Sequence, residues 1–172
     1  MNKWLATLLT AGLSLSFVAN AAIDETIRVK QSIEINAPAE KVWATVGNFG
    51  DASWLPGIAK TELTEGKADE VGAKRVLTLQ DGGNVHEILT SFDAESRIMK
   101  FEITDSVLPL REFGATIKVE AAGDNTVVTW RTMFKRKDPA NPGAEGQDDA
   151  AAKATVESIL ESGLTNLKKI SE

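Results

Sequence analysis

Few side chains in this sequence are equipped for catalysis or ligation. There is one histidine, His86, and there are no cysteines and no tyrosines. A metal site built from imidazoles needs several of them. The absence of thiols removes a cysteine nucleophile, an iron–sulfur cluster and covalently attached haem. Neither a Gly-x-Ser-x-Gly elbow nor a phosphate-cradling glycine loop occurs. Acid–base chemistry would rest on carboxylates, Lys or Arg, and Glu87 and His86 are the only candidates that can be named. Counting out from a two-residue turn at Gly82-Gly83 sets His86 beside Leu79, on the face of Leu77 and Ile88, as a structural residue at a sheet margin. The same count turns Glu87 toward solvent. A bulge at the glycines would reverse this and put Glu87 inside; the exposed placement is the expectation.

A second group, Asp138, Asn141, Asp148 and Asp149, resembles a calcium set only in composition. Its spacing does not match an EF-hand loop, and two prolines interrupt it. "DPANPGAEGQDD" reads instead as a surface loop in which Gln147 or Asp148 caps a following helix. No cofactor is expected.

The elements that position these residues are legible from periodicity. "TIRVKQSIEIN" alternates, with Ile27, Val29, Ile33 and Ile35 on one face and Arg28, Lys30, Ser32 and Glu34 on the other, which predicts a half-buried strand. "PAEKVWATVGNF" carries Val42, Val46 and Phe49 at helical spacing, with Pro38 at its start and Gly47 or Gly50 near its end. Six short strands follow: "IAKTELTE", "AKRVLTLQ", "NVHEILTSF", "RIMKFEITD", "FGATIKVEA" and "TVVTWRTMFKR". Gly66, Asp81–Gly83, Asp93–Ser96 and Ala122–Asn125 turn the chain between them. From Gln147 an amphipathic pattern places Ala152, Val156, Ile159, Leu160, Gly163, Leu164 and Leu167 on one stripe, with Lys153, Glu157, Glu161 and Lys168 opposite. The acids at its start and lysines at its end suit the helix dipole.

The expected fold is α+β. A curved antiparallel sheet of about seven strands wraps a long C-terminal helix, with two short helices after the first strand. A sheet that curls around a helix need not fill the space between them. In "NFGDASWLPGIAKTEL", the Trp54-Leu55-Pro56-Gly57 segment then crosses the open end, and "DSVLPLREF", interrupted by Pro109, makes a second loop facing it. The candidate cavity-lining residues are Trp54, Pro56, Leu77, Glu87, Phe101, Pro109, Trp130, Leu160 and Leu164. If the interior is filled, the aromatics among them are packing only, as is expected of Trp43.

The N-terminus "MNKWLATLLTAGLSLSFVANA" has a cation at Lys3, an apolar run from Leu5 to Val18 and an Ala-x-Ala step at Ala19–Ala21. That is the layout of a cleaved export signal, and the run is shorter than the ~20 apolar residues of a membrane span. The expectation is a signal peptide over 1–21, one domain over 22–172 and a periplasmic location without stable membrane insertion. The chain carries a formal charge of −6, which becomes −7 once Lys3 leaves with the signal. This balance argues against nucleic acid and anionic lipid surfaces and favours basic partner surfaces.

"SIEINAPAEKVWATVGNFGDASWLPGI" resembles the opening of a START/Bet v1-type helix-grip domain, the SRPBCC or polyketide cyclase-like group. "RVLTLQDGGNVHEILTSFD", "FKRKDPANPGAEGQDDAAAKA" and "GLTNLKKI" resemble, more narrowly, the MxaD type of exported accessory protein in bacterial methanol oxidation. One departure is Leu55, where relatives often carry His after the tryptophan. The helix-grip likeness implies the fold but not one function, because that fold hosts carriers, cyclases and hydratases alike. The MxaD likeness implies a non-enzymatic role beside methanol dehydrogenase and its c-type cytochrome. The alternatives are a carrier of a small hydrophobic ligand (a lipid, a quinone or a cofactor-like molecule) and a cyclase- or hydratase-type enzyme.

Overall fold

The computed structural model describes residues 24–140 and 143–172; the expected signal and Asn141 lie outside the described residues. The chain runs β1 (Ile27–Ile35), α1 (Ala39–Val46), β2 (Ile58–Glu65), β3 (Lys74–Leu79), β4 (Asn84–Asp93), β5 (Ile98–Ser106), β6 (Leu110–Ala122), β7 (Asn125–Arg136) and α2 (Asp149–Ser171). One seven-stranded antiparallel sheet results, in the order β1-β7-β6-β5-β4-β3-β2. Only the β1–β7 pairing joins strands distant in sequence; every other neighbour is a hairpin partner. This is the helix-grip arrangement.

The sheet is bent by breaks in its ladders. Pairing slips between Ile58 and Lys60 and between Leu63 and Glu65 on β2, twice along β4 against β5, and between Arg111 and Gly114 on β6. Each extra residue kinks its strand and deepens the twist, so the sheet closes around α2. The grip itself is apolar. Ala152, Val156, Leu160, Leu164 and Leu167 are buried along α2 against Val29, Ile35, Val128, Trp130 and Phe134 of β1 and β7. Asp148 caps the helix by accepting the Ala151 N–H at 2.8 Å, while Lys168 and Lys169 occupy its last turn.

Gly163 marks the tightest approach. A Cβ there would lie 2.7 Å from Leu55 Cδ2 and 3.3 Å from both Trp54 and Trp130. A helix-disfavouring residue is kept mid-helix because a larger one would push the tryptophan–proline segment off α2.

Two expectations need correction. One short helix, not two, follows β1 among the described residues. Positions 48–57 form successive turns, with Asp51 N–H to Asn48 O, Leu55 N–H to Ala52 O and Ile58 N–H to Leu55 O. The Asn48 and Asp51 side chains accept the N–H groups two residues on, and such Asx contacts, with Gly50 and Pro56, compete with a helical ladder. Secondly, "DSVLPLREF" is mostly strand. β5 runs to Ser106 and β6 starts at Leu110, which leaves Val107–Pro109 as the connection.

The loop before α2 is held by Asp138, whose carboxylate accepts the Ala140 and Ala144 N–H groups at 2.9 and 2.7 Å. Those two donors keep its pKa below the ordinary carboxylate value. A lowered folded-state pKa contributes stability that is present above the unfolded pKa and lost as pH falls through the folded one. Thermal melts of Asp138→Asn should therefore show a lower Tm than the parent near neutrality, with the gap closing as pH drops below the usual Asp range. Gly163→Leu should destabilise the fold by about 1–3 kcal/mol in chemical denaturation, through overpacking against Leu55 and the two indoles.

Candidate functional site: a cavity between the sheet and the C-terminal helix

The grip leaves a cavity of about 280 Å3 between the concave sheet face and α2. Its wall is largely aliphatic and aromatic: Leu77 and Leu79 from β3, Val85 from β4, Met99, Phe101 and Ile103 from β5, Leu110, Phe113 and Ile117 from β6. Trp130 of β7 and Val156, Ile159 and Leu160 of α2 close the opposite side. Leu110 and Phe113, three apart, both face inward because the Arg111–Gly114 bulge resets the alternation, with Glu112 at φ 52°.

The tryptophan–proline segment forms one rim. Trp54 is 4% exposed and packs its ring 5.5 Å from that of Trp130. Pro56 and Gly57 lie exposed at the rim, facing Ser158 and Ser162 of α2. The segment is tied on both sides: Asn166 of α2 donates to Trp54 O at 2.9 Å, and Gln80 donates its side chain to Pro56 O at 2.7 Å and its N–H to Gly57 O at 3.1 Å.

Inside this apolar wall sits one ion pair. Arg75 and Glu87 have side chains only 5% exposed and meet at 2.6 Å, Nε to Oε2. Arg75 also donates Nη1 to Phe49 O at 2.8 Å, and its guanidinium lies over the Phe49 ring, 4.2 Å from the centroid. A buried charge pair persists only with such additional partners. These contacts use Nε and Nη1 of Arg75 and Oε2 of Glu87, and both side chains border the cavity.

The inward position of Glu87 overturns the count from the turn. The β3–β4 loop has three residues, not two: Leu79 N–H bonds Gly83 O at 2.8 Å across it, and Gly82 takes φ +90°. A left-handed third loop residue is the usual partner of a three-residue hairpin, and it favours glycine. The loop starts two residues earlier as well as being one longer, so the pairing moves by three positions: His86 faces Val76 instead of Leu79, and Leu77 faces Val85, an odd shift that inverts the strand. Glu87 goes in; His86 goes to the outer face, away from Leu77. The sequence signal was available in "QDGG", where either glycine can take the left-handed position.

Of the other candidates, Trp54, Pro56, Leu77, Phe101, Trp130 and Leu160 are placed in the wall or rim. Pro109 is not on the wall; its neighbours Leu108 and Leu110 are, and its carbonyl accepts the Lys137 N–H. Leu164 is buried in the core and does not line the cavity. Arg75 was missed altogether, since an arginine on an alternating strand ordinarily marks the solvent face. Trp43 is half-buried and packs on Phe92 at 5.6 Å. The acidic group before α2 is spent on structure: Asp138 holds the loop, Asp148 caps, and Asp149 pairs with Arg136 at 3.1 Å.

Residues 26–172 match the family described as polyketide cyclase / dehydrase and lipid transport. The chain belongs to that family. Among solved structures, it is similar to the protein XoxI of Bacillus cereus, at 27% identity and TM-score 0.70, covering 84% of this chain and 94% of that one. A protein of Bacillus thuringiensis is alike at 27% identity and TM-score 0.71, covering 84% and 98%. Ara h 8.0201 shares the Bet v1-like helix-grip fold at 16% identity and TM-score 0.68, covering 86% and 98%. A comparison with curated proteins found no match.

Removing either member of the buried pair should be costly, because the other charge is left unpartnered. Arg75→Met or Glu87→Leu alone should each lose about 3–5 kcal/mol of unfolding free energy. The double variant should lose less than the sum of the two. A double-mutant cycle in urea checks this, and additive losses would show that the pair is not coupled.

Proposed function

We propose that this protein is a non-enzymatic binder of a small, neutral, mainly apolar molecule carrying one hydroxyl or carbonyl group. The observation that carries this reading is the Arg75–Glu87 pair set into an otherwise apolar cavity. A cavity of roughly 150 Å3 takes a benzene ring, so about 280 Å3 accommodates a body some two rings in size. Arg75 and Glu87 neutralise each other, and a charged guest would have to break that balance in a low-dielectric site. A hydroxyl suits it better: it accepts from the guanidinium and donates to the carboxylate. The family description supports binding or cyclase-like chemistry equally. Against catalysis stands the engagement of Glu87 by Arg75, together with the position of His86 on the outer face.

The finer reading is an exported accessory protein of methanol oxidation, acting beside methanol dehydrogenase and its c-type cytochrome. It is favoured by the likeness of segments 75–93, 134–154 and 163–170 to the MxaD type, and the signal-like N-terminus agrees with it. Purified protein added to dehydrogenase and cytochrome should speed cytochrome reduction. No change in rate would remove this reading and leave the cavity assignment standing.

Titration of the intrinsic tryptophan fluorescence with 2-naphthol and with naphthalene tests the cavity directly. The naphthol should bind several-fold more tightly, as one added hydrogen bond to charged groups allows. Ile103→Trp, which fills the cavity, should abolish binding while the protein stays folded by circular dichroism. Equal affinity for both probes, or unaltered binding by Ile103→Trp, would refute the assignment.

A further inference from the structure

The outer face of the sheet carries a second feature, independent of what the cavity holds. Strand register sets Lys30 of β1 opposite Arg131 of β7, Arg131 opposite Thr116 of β6, and Thr116 opposite Lys100 of β5. The adjacent row is Arg28, Met133, Gly114 and Glu102. These residues line a groove of about 580 Å3, into which Gly114 projects no side chain.

The charge pattern here differs from the rest of the molecule. Many cations elsewhere sit beside acids: Lys60 with Glu62, Lys74 with Glu65, Arg97 with Glu40, Lys118 with Glu120 and Lys153 with Glu157, and Lys41 and Lys137 donate to backbone carbonyls. Arg28, Lys30, Lys100 and Arg131 make no ion pair among the described residues, and Glu102 is the only acid in the groove lining. Like charges directly opposite on neighbouring strands are destabilising. A chain with a net charge of −6 had acids to spare for this row and placed none in it. Met133, 50% exposed in the middle of the patch, adds an apolar contact point.

We infer that the Lys30–Arg131–Lys100 row is a docking site for an acidic segment of a partner protein, bound across the strands in the groove. Neighbouring strands lie ~4.8 Å apart, so the row from β1 to β5 spans roughly 14 Å, the length of about four extended residues. Carboxylates on alternate residues of such a segment face the cations. A narrow segment meets this row alone. An anionic membrane plane would also meet the acidic remainder of the surface, which repels it over distances set by a Debye length of about 8 Å at physiological salt.

The test uses the exported chain and a fluorescent peptide of about eight residues, alternating Glu and Thr to match strand spacing, read by anisotropy. The peptide should bind and should be released at about 1 M salt, where the Debye length falls to about 3 Å. The double variant Lys30→Glu/Arg131→Glu should weaken binding roughly tenfold or more. Lys60→Glu/Lys67→Glu, which reverses cations paired with Glu62 and Glu70, should change it less than about twofold. The single variant Lys30→Glu should raise Tm by roughly 1–4 °C, since repulsion across β1 and β7 becomes attraction. No peptide binding, equal losses in both double variants, or a lower Tm for Lys30→Glu would overturn the assignment. So would stronger binding to inorganic phosphate or to phosphatidylcholine vesicles containing phosphatidylglycerol.

Discussion

The burial of the α2 stripe on the concave face of β1 and β7 is the interaction on which the rest of the molecule depends. Ala152, Val156, Leu160, Leu164 and Leu167 leave water together along one side of a 23-residue helix. That burial holds the two sequence-distant strands β1 and β7 under the same helix and so closes the sheet's one long-range pairing. The tryptophan–proline segment is seated by the same helix, through Gly163 and Asn166. Lid, pocket and pairing therefore share one support.

The hollow follows from a mismatch of shapes. A sheet bent by bulges has a wider radius than a helix can fill, so contact is made along β1, β7 and the lid but not over β3 to β5. The unfilled side is where a charged pair can persist, because Phe49 supplies both a carbonyl and a ring face to Arg75. Water-poor surroundings strengthen each polar contact there and penalise any unmatched charge. The result is a largely apolar interior whose wall holds one mutually neutralised charge pair.

Inside and outside thus use opposite arrangements of the same residue types. Arg75 is neutralised at contact distance and buried. Arg131 is exposed and placed opposite another cation. The first arrangement leaves the cavity wall without net charge at that point. The second leaves unpaired cations on a surface where many others are paired with acids, and it lies on the sheet face turned away from α2.

Most element types and their order were determined by the sequence itself. Alternation in "TIRVKQSIEIN" and "TVVTWRTMFKR" and the heptad-like spacing from Ala152 to Leu167 are local properties, because side-chain direction follows directly from backbone period. The grip followed too, since a long amphipathic helix beside a one-sided sheet has only that sheet to cover it. What the structure decided was register, at the β3–β4 loop between the alternatives that "QDGG" allows and elsewhere over long range. A three-residue loop over positions 80–82, in place of a two-residue turn at Gly82-Gly83, shifted the β3–β4 pairing by three positions and exchanged the faces of His86 and Glu87, because any odd shift inverts a strand. Arg75 could enter the core only once Glu87 did, and the Lys30–Arg131–Lys100 row exists only when four strands are aligned. The row joins residues far apart in the chain, and local periodicity holds no information about it.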